Sequence, residues 1–251
     1  MATVREIDAF VTELAPSCLS EDWDNDGVML CGNPDGIVKR AVVCLEVGID
    51  AVKYAEETGA NLIITHHPFI FRAMKNVKGE KYTELQLLMK NDISVLSYHT
   101  RYDKSKGGVN DILAESLGLS DICSCGEFLR VGELDDEMSG EDFAEYLRTK
   151  LGCGIMKAYF EKDTKIKKVA VCGGAGKEFL AQVQGLAEAY VSADFSHETF
   201  REARAYGVAV FDAGHYFTEN PAAKKLKELL KENFADVAFD FYDVKSPFFT
   251  I

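Results

Sequence analysis

Hydrophobic positions along this chain follow two patterns, and the two patterns alternate. At the start, apolar residues recur at helical spacing and predict an opening helix, at Val4, Ile7, Phe10, Val11 and Leu14. Short apolar runs bounded by turn residues then predict strands, at Ala41–Val47, Leu62–Thr65 and Ile93–Tyr98. Helical stretches separate these runs, at Ile49–Thr58 and Tyr82–Lys90. Such alternation favours an α/β fold with mixed, largely parallel sheets.

The second half of the chain repeats this order. Strands are predicted at Lys168–Cys172, Tyr190–Ala193 and Val208–Asp212, and helices at Lys177–Ala187 and His197–Tyr206. An amphipathic helix and a closing strand are predicted last, at Asn220–Asn233 and Val237–Val244. We therefore expect one domain made of two related α/β halves, about 1–121 and 126–251. The glycine-containing, acidic segment Asp121 to Gly140 is the predicted link between them.

Composition narrows the classes of function. Of the 251 residues 47% are hydrophobic, which is typical of a globular protein, and the formal net charge is −13. An acidic surface repels phosphate backbones, so we expect no sequence-independent binding of nucleic acid. A local basic pocket for a small phosphorylated ligand stays open. The only tryptophan, Trp23, is expected to be buried and to anchor the turn Asn25-Asp26-Gly27.

The sequence also predicts a soluble cytoplasmic protein. The first residues contain no apolar core followed by a cleavage site, and no apolar run approaches the roughly 20 residues of a membrane span. The seven cysteines are odd in number and scattered, unlike a secreted disulfide framework. Cys123 and Cys125 form a C-x-C pair without a second pair, so we interpret them as small buried hydrophobic residues.

The histidines give the strongest chemical signal. All five lie at or just after the predicted end of a strand, at positions 66, 67, 99, 197 and 215. Ligands of parallel α/β sheets collect at the carboxyl ends of the strands, so a site is predicted in a cleft there.

Thr65-His66-His67-Pro68 follows the second strand. Neighbouring side chains on extended backbone point in opposite directions, so the two histidines suit two ions better than one. Metal ions in two-metal sites lie about 3.5–4 Å apart, which such a pair can serve. Pro68 favours an extended backbone at His67. Taken alone, the pair also fits one buried and one exposed histidine without a metal.

Two further clusters supply carboxylates. In the first, Asp103 comes four residues after His99, where it could turn back into the same cleft. In the second, Asp212-Ala213-Gly214-His215-Tyr216-Phe217-Thr218-Glu219, a helix would place His215 and Glu219 on one face. A solvated loop aspartate and a helix cap at Thr218 are the alternatives.

Together the clusters predict a centre of two divalent metal ions, with the ligands His66, His67, Asp103, His215 and Glu219. Nitrogen and carboxylate donors suit zinc, iron or manganese. His99 and His197 are then candidate catalytic or ligand-orienting residues. The loop Cys172-Gly173-Gly174-Ala175-Gly176-Lys177 also follows a strand, but it lacks the spacing of a phosphate-binding Walker motif.

These motifs resemble the NIF-three-like dinuclear metal-centre family, also known as GTP cyclohydrolase I type 2 homologues. The matching pieces lie at residues 23–27, 64–71, 99–103, 107–111 and 212–219. The resemblance implies the same five metal ligands, two related α/β halves and a toroidal homohexamer. Arg101-Tyr102 and Glu46 depart from the family pattern, and Arg101 adds a positive charge that could hold a phosphate or carboxylate.

The leading hypothesis is a metal-dependent hydrolase of a small, phosphorylated or nucleotide-like substrate, such as a GTP cyclohydrolase. A metal-binding, metal-delivery or regulatory scaffold protein without catalysis would use the same ligands. A partner-binding adaptor with structural metals is the third hypothesis, although structural zinc usually has cysteine ligands, which these clusters lack.

Overall fold

The computed structural model of this protein describes residues 2–244, which form two compact units. The helices are α1 (Val4–Leu14), α2 (Ile49–Thr58), α3 (Glu80–Lys90), α4 (Thr100–Lys104), α5 (Val109–Ser116), α6 (Gly140–Leu151), α7 (Leu180–Val183), α8 (His197–Tyr206) and α9 (His215–Asn233). The strands are β1 (Gly27–Leu30), β2 (Arg40–Cys44), β3 (Leu62–Thr65), β4 (Ser94–Ser97), β5 (Ser120–Cys125), β6 (Leu129–Ser139), β7 (Lys157–Tyr159), β8 (Lys165–Val171), β9 (Ala189–Ser192), β10 (Ala209–Asp212) and β11 (Ala238–Phe241).

The first unit contains residues 2–106 and 222–244 and has one sheet, in the order β1-β4-β3-β2-β11. Strands β2, β3, β4 and β11 are parallel, and β1 is antiparallel to β4. All four residues of β3 and of β4 are buried, so both faces of these strands are covered. This explains why the strands appear in the sequence as continuous apolar runs rather than as alternating patterns.

The second unit contains residues 107–221, and its sheet has the order β5-β6-β8-β9-β10-β7. Strands β8, β9 and β10 are parallel; β7 is antiparallel to β10, and the β5–β6 hairpin is antiparallel to β8 through β6. The predicted α/β class with two mixed sheets is confirmed.

The parallel strands of the two units correspond. In each unit three parallel strands stand side by side, and an antiparallel strand flanks the third. The backbone just past the strands matches as well: Tyr98 N donates to Thr65 O at 2.9 Å, and Ala213 N donates to Ser192 O at 2.9 Å. The two sheets therefore share this local arrangement of strands, and the duplication of a structural unit stays a prediction.

The boundaries of the units differ from the predicted halves. The chain leaves the first unit after Lys106 and returns to it after Pro221. It returns because β11 pairs in parallel with β2, which places the closing strand in the first sheet.

The predicted link Asp121 to Gly140 was wrong, because this segment forms most of the β5–β6 hairpin. Two glycines of this segment, Gly126 and Gly132, allow the backbone geometry and close packing of the hairpin. Gly126 has a φ of +68° at the turn, and a Cβ on Gly132 would lie 2.9 Å from the Leu119 Cβ and the Ser120 carbonyl oxygen. Cys123 is exposed and Cys125 half-buried, so the prediction that both are buried was also wrong.

Most predicted helices and strands are present, and the differences have local causes. The predicted helix Lys177–Ala187 is only a 3₁₀ turn followed by the single turn α7, because Gln184 leaves the helical region with a ψ of 120° and Gly185 follows with a left-handed φ of +76°. Helix α9 begins at His215, five residues earlier than predicted, and contains Pro221. Within residues 2–244, each helix is too short or too polar to cross a membrane.

Candidate metal centre

His66 and His67 come directly after β3, as predicted. Their backbone N–H groups both donate to the Leu45 carbonyl, at 3.2 and 2.9 Å. His66 is buried, and its Nδ1 lies 2.9 Å from the Tyr98 carbonyl oxygen. The Nδ1 of His67 lies 3.4 Å from a carboxylate oxygen of Glu46. Each ring is thus held at Nδ1 by an oxygen atom.

His99 comes just before α4, and Asp103 lies on that short helix. The Nδ1 of His99 lies 2.9 Å from Oδ1 of Asp24. Asp103 is buried, and its Oδ1 lies 3.5 Å from the Nε2 of His66. Ligand atoms of His66, His99 and Asp103 all lie within 4.8 Å of one another, so this group could hold a metal ion.

His215 and Glu219 belong to the second unit and share one face of α9. The Nε2 of His215 lies 3.0 Å from the Glu219 carboxylate, and its Nδ1 lies 2.7 Å from Oδ2 of Asp194. The predicted i,i+4 relationship on a helix is therefore confirmed. Thr218 is not a helix cap: it lies inside α9, and its hydroxyl donates to the His215 carbonyl at 2.9 Å.

The four histidines of these groups share one feature. Each binds an oxygen acceptor through Nδ1, in three cases a carboxylate and in one a backbone carbonyl. Because these acceptors carry no proton at neutral pH, Nδ1 is the donor in each contact, and Nε2 is the nitrogen that could bind a metal ion. Metal-binding histidines typically show this arrangement. The nitrogen and oxygen donors therefore fit the predicted zinc, iron or manganese.

The glycine-rich loop after β8 packs against Glu219. Two of its N–H groups are occupied by side chains: Gly173 N donates to Asn110 Oδ1 at 2.6 Å, and Gly174 N donates to Thr218 Oγ1 at 3.0 Å. Gly174 has a φ of +63° and packs directly against the Glu219 carboxylate. The backbone donors of Gly173 and Gly174 are therefore engaged within the protein, unlike those of a phosphate-binding loop.

The positive charge of Arg101 is used in an ion pair within the protein and not for a ligand. The side chain is 3% exposed, its Nε lies 3.3 Å from the Asp26 carboxylate, and the guanidinium group lies 4.8 Å from the centre of the Tyr98 ring. The arginine that departs from the family pattern at this position thus forms a structural ion pair.

His197 is exposed on the first turn of α8. Among the described residues it belongs to none of the groups that could hold a metal ion. The expectation that Trp23 is buried was wrong, because its ring is 61% exposed and meets Phe71 edge to face at 6.0 Å.

The sequence interpretation missed the residues that orient the histidines, above all Asp24 and Asp194. Asp24 is part of the Trp23–Gly27 motif, and Asp194 comes just after β9 with a left-handed φ of +58°. An aspartate at a strand end is a weak signal by itself. The histidine that such an aspartate contacts can be identified only in the tertiary structure, where the strands lie side by side.

The match to the model of the Duf34/NIF3 (NGG1p interacting factor 3) family covers residues 2–247. The chain belongs to the Duf34/NIF3 family. It is 30% identical to the GTP cyclohydrolase 1 type 2 homolog of Clostridium perfringens, over 98% of each chain.

Two solved structures share the fold of this chain. The Bacillus cereus protein related to NIF3 has a TM-score of 0.94 at 21% identity and covers 100% of this chain and 99% of its own. Reduced HcgD from Methanocaldococcus jannaschii has a TM-score of 0.83 at 30% identity, over 98% of each chain. The resemblance inferred from the motifs is therefore confirmed for the Duf34/NIF3 family.

Proposed function

We propose that this protein is a dinuclear metal-dependent hydrolase of a small phosphorylated or nucleotide-like substrate. The proximity of the predicted ligands His66 and Asp103 carries the proposal, because the His66 Nε2 and the Asp103 Oδ1 lie 3.5 Å apart within a group that could hold a metal ion. Catalytic zinc sites have such donors and keep a position open for water or substrate. The Clostridium perfringens relative, named as a GTP cyclohydrolase 1 type 2 homolog, supports a small-molecule substrate.

In this proposal, His66, His67, Asp103, His215 and Glu219 bind one pair of divalent ions together. His66 and His67 would hold separate ions, since their ring centroids lie 5.2 Å apart and their Nδ1 atoms bind different acceptors. Asp103 and Glu219 would supply carboxylates that neutralise the charge of the ions. His215 would complete the ligands of one ion. The orienting acceptors Glu46 and Asp194 keep these rings in place.

The chemistry of the bound ions would be to lower the pKa of a water molecule towards neutrality and to polarise the substrate. The residues of this chain then bind the substrate and move protons. His99 and His197 are the proposed proton-transfer residues, because an imidazole ring can both accept and donate a proton. We favour His99, whose ring lies 5.3 Å from that of His66.

Metal content is the first test. Elemental analysis of freshly purified protein is expected to give about two ions of zinc, iron or manganese per chain. Glu219→Ala should lose most of this metal if the carboxylate bridges the pair. Glu178→Ala is the matched control, because Glu178 is an exposed glutamate of the same unit. A single ion per chain that is insensitive to Glu219 would rule out the dinuclear site.

Turnover is the second test. The metal-loaded protein is assayed against GTP and a panel of nucleotides and phosphate esters, beside His67→Ala. We expect hydrolysis of at least one substrate by the wild type and a loss of about 10²-fold or more in the variant. Equal turnover by the two proteins would contradict the hydrolase proposal.

A metal-binding, metal-delivery or regulatory scaffold protein is the second candidate. One observation favours it: the His215 side chain is 37% exposed and that of its partner Asp194 is 55% exposed, so solvent reaches part of this site. A protein that delivers metal would exchange an ion rapidly with a chelator and show no turnover in the assay above. A hydrolase would retain its ions during turnover.

We also propose a cytoplasmic homohexamer. The family resemblance supports the hexamer, and the seven scattered cysteines, odd in number, suit a reducing compartment. Light scattering coupled to size-exclusion chromatography should give six times the mass of the 27.8 kDa chain. A monomeric mass would contradict the assembly but would leave the metal site open to the tests above.

A further inference from the structure

We propose that Asp24 is a positioning residue that holds His99 in the tautomer with its proton on Nδ1, so that Nε2 acts as a hydrogen-bond acceptor for water or substrate. The use of this acceptor in hydrolysis rests on the proposed function. The tautomer itself does not, because it is a property of the metal-free protein.

Both oxygens of Asp24 are engaged. Oδ1 accepts from His99 Nδ1 at 2.9 Å and from Asn25 N at 2.9 Å. Oδ2 accepts from Thr100 N at 3.1 Å and from Thr100 Oγ1 at 2.6 Å. Four donors thus converge on one carboxylate whose side chain is fully buried. An asparagine amide has only one oxygen, so it cannot accept all four hydrogen bonds.

The charge of this carboxylate is maintained in spite of burial. Burial alone raises the pKa of Asp24, but the hydrogen bonds from His99 and Thr100 outweigh it and hold the pKa well below its usual range. An ionised carboxylate accepts hydrogen bonds only. The proton between the two side chains must therefore come from His99 Nδ1.

Neighbouring rings enclose the imidazole of His99. Trp23 and Phe71 meet it nearly edge to face, with centroids at 6.3 and 5.9 Å, and the His66 ring lies at 5.3 Å. A ring nitrogen of His99 also lies within 4.8 Å of ligand atoms of His66 and Asp103. Since Nδ1 binds Asp24, Nε2 is the nitrogen left to accept a proton donor at this group.

Asp24 also has a structural role that the test must separate from positioning. By accepting from Thr100 N, it satisfies the first backbone donor of α4. Replacing it would weaken that helix start whatever His99 does. A readout at the His99 ring itself distinguishes the two roles.

The chain offers a matched control in Asp26. This aspartate lies two residues from Asp24 in the same loop, and its side chain is 8% exposed. It accepts from Ser20 Oγ at 2.8 Å and pairs with Arg101 instead of a histidine. Asp26→Asn thus tests the loss of a buried carboxylate from this loop without a direct contact to His99.

The experiment is solid-state NMR of metal-free, full-length protein labelled with ¹⁵N-histidine. His99 is assigned among the five histidines with His99→Gln. We expect wild type and Asp26→Asn to show His99 with a protonated Nδ1 and an unprotonated Nε2, and Asp24→Asn to shift the ring towards the other tautomer. A protonated Nε2 in neutral wild-type His99, or an unchanged tautomer in Asp24→Asn, would overturn the proposal.

A kinetic cycle tests the use of this acceptor. With any substrate that the metal-loaded protein hydrolyses, Asp24→Asn should lower kcat roughly 10- to 100-fold. In the His99→Gln background the same change should add almost nothing, because Asp24 acts through His99. Equal losses in both backgrounds would leave Asp24 as a structural residue only. Absence of turnover in the wild type would contradict the proposed hydrolase, whereas the NMR result would still decide the tautomer.

Discussion

Gly174 leaves open the space that the Glu219 carboxylate occupies. A Cβ at position 174 would overlap Oε1 of Glu219 and would lie 3.2 Å from Nε2 of His215. Both side chains belong to α9, and the glycine belongs to the loop after β8. The absence of a side chain at one position therefore sets the location of a carboxylate 45 residues further along the chain.

Gly174→Ala should therefore remove most of the bound metal but lower the free energy of unfolding only modestly. The left-handed φ of +63° costs a residue with a Cβ about 1–2 kcal/mol in free energy of unfolding. The overlap with Glu219 should in addition remove most of the metal found by elemental analysis. Gly185→Ala is the control: its φ of +76° gives the same backbone cost, but nothing lies within 4 Å of its Cβ. Equal metal content in the two variants would show that Gly174 has no role at the site.

Asp194→Gly should separate stability from metal affinity. Asp194 has a left-handed φ of +58°, which glycine adopts more easily, so we expect the variant to be about as stable as wild type or up to ~1 kcal/mol more stable. The His215 ring would lose its Nδ1 acceptor, and metal affinity should fall roughly 10- to 100-fold. Chemical unfolding and metal titration measure the two quantities.

Asp121→Gly is the control for this variant. Asp121 also has a positive φ, of +51°, but lies on exposed β5, so its substitution should change stability alone. If Asp194→Gly binds metal as tightly as Asp121→Gly does, the orienting role of Asp194 is wrong.

Arg101 should behave as a structural residue. Arg101→Met leaves the buried carboxylate of Asp26 without its cation, which typically costs about 3 kcal/mol of free energy of unfolding. Asp26→Asn in the same chain should recover part of that loss, because it removes the carboxylate charge that Arg101 otherwise neutralises. For a phosphorylated substrate, KM should change little in the folded double variant. A large rise in KM with unchanged stability would instead make Arg101 a ligand for the substrate.

Removal of metal should destabilise the protein. An ion that binds only the folded state stabilises it by about 2.7 kcal/mol at a concentration of 100 times Kd. We expect a chelator to lower Tm and added metal to restore it. Glu219→Gln should largely lose this response, whereas the exposed control Glu178→Gln should retain it. If the chelator leaves the Tm of the wild-type protein unchanged, a bound structural or catalytic ion is contradicted.

The donor residues of the candidate site were accessible from the sequence because their signals are local. The apolar run Leu62–Thr65 forms β3 with the predicted bounds, and His66 and His67 follow it directly. The spacing of His215 and Glu219 required only that the segment be helical. The clustering of His66 with Asp103 also followed the prediction, since each side chain comes just after one of two neighbouring parallel strands.

The residues that orient the donors could not be predicted from local sequence signals. Asp24 and His99 are 75 positions apart, and the loop before β1 and the end of β4 come together only in the folded sheet. The same holds for β11, whose periodicity predicted a strand but not its pairing with β2. Gly132 suggested a linker, whereas its lack of a Cβ allows close packing in the β5–β6 hairpin.

The sequence by itself determined the α/β class and most strands and helices, and it predicted the candidate imidazole and carboxylate donors, because hydrophobic periodicity and spacing are properties of neighbouring residues. Only the tertiary structure decided which acceptor holds each histidine ring, that Arg101 is neutralised by Asp26, and that Trp23 is exposed. These features depend on contacts between distant segments. Strand order, burial and the space left by glycines determine which of these contacts form. None of these three features can be predicted from a local sequence pattern.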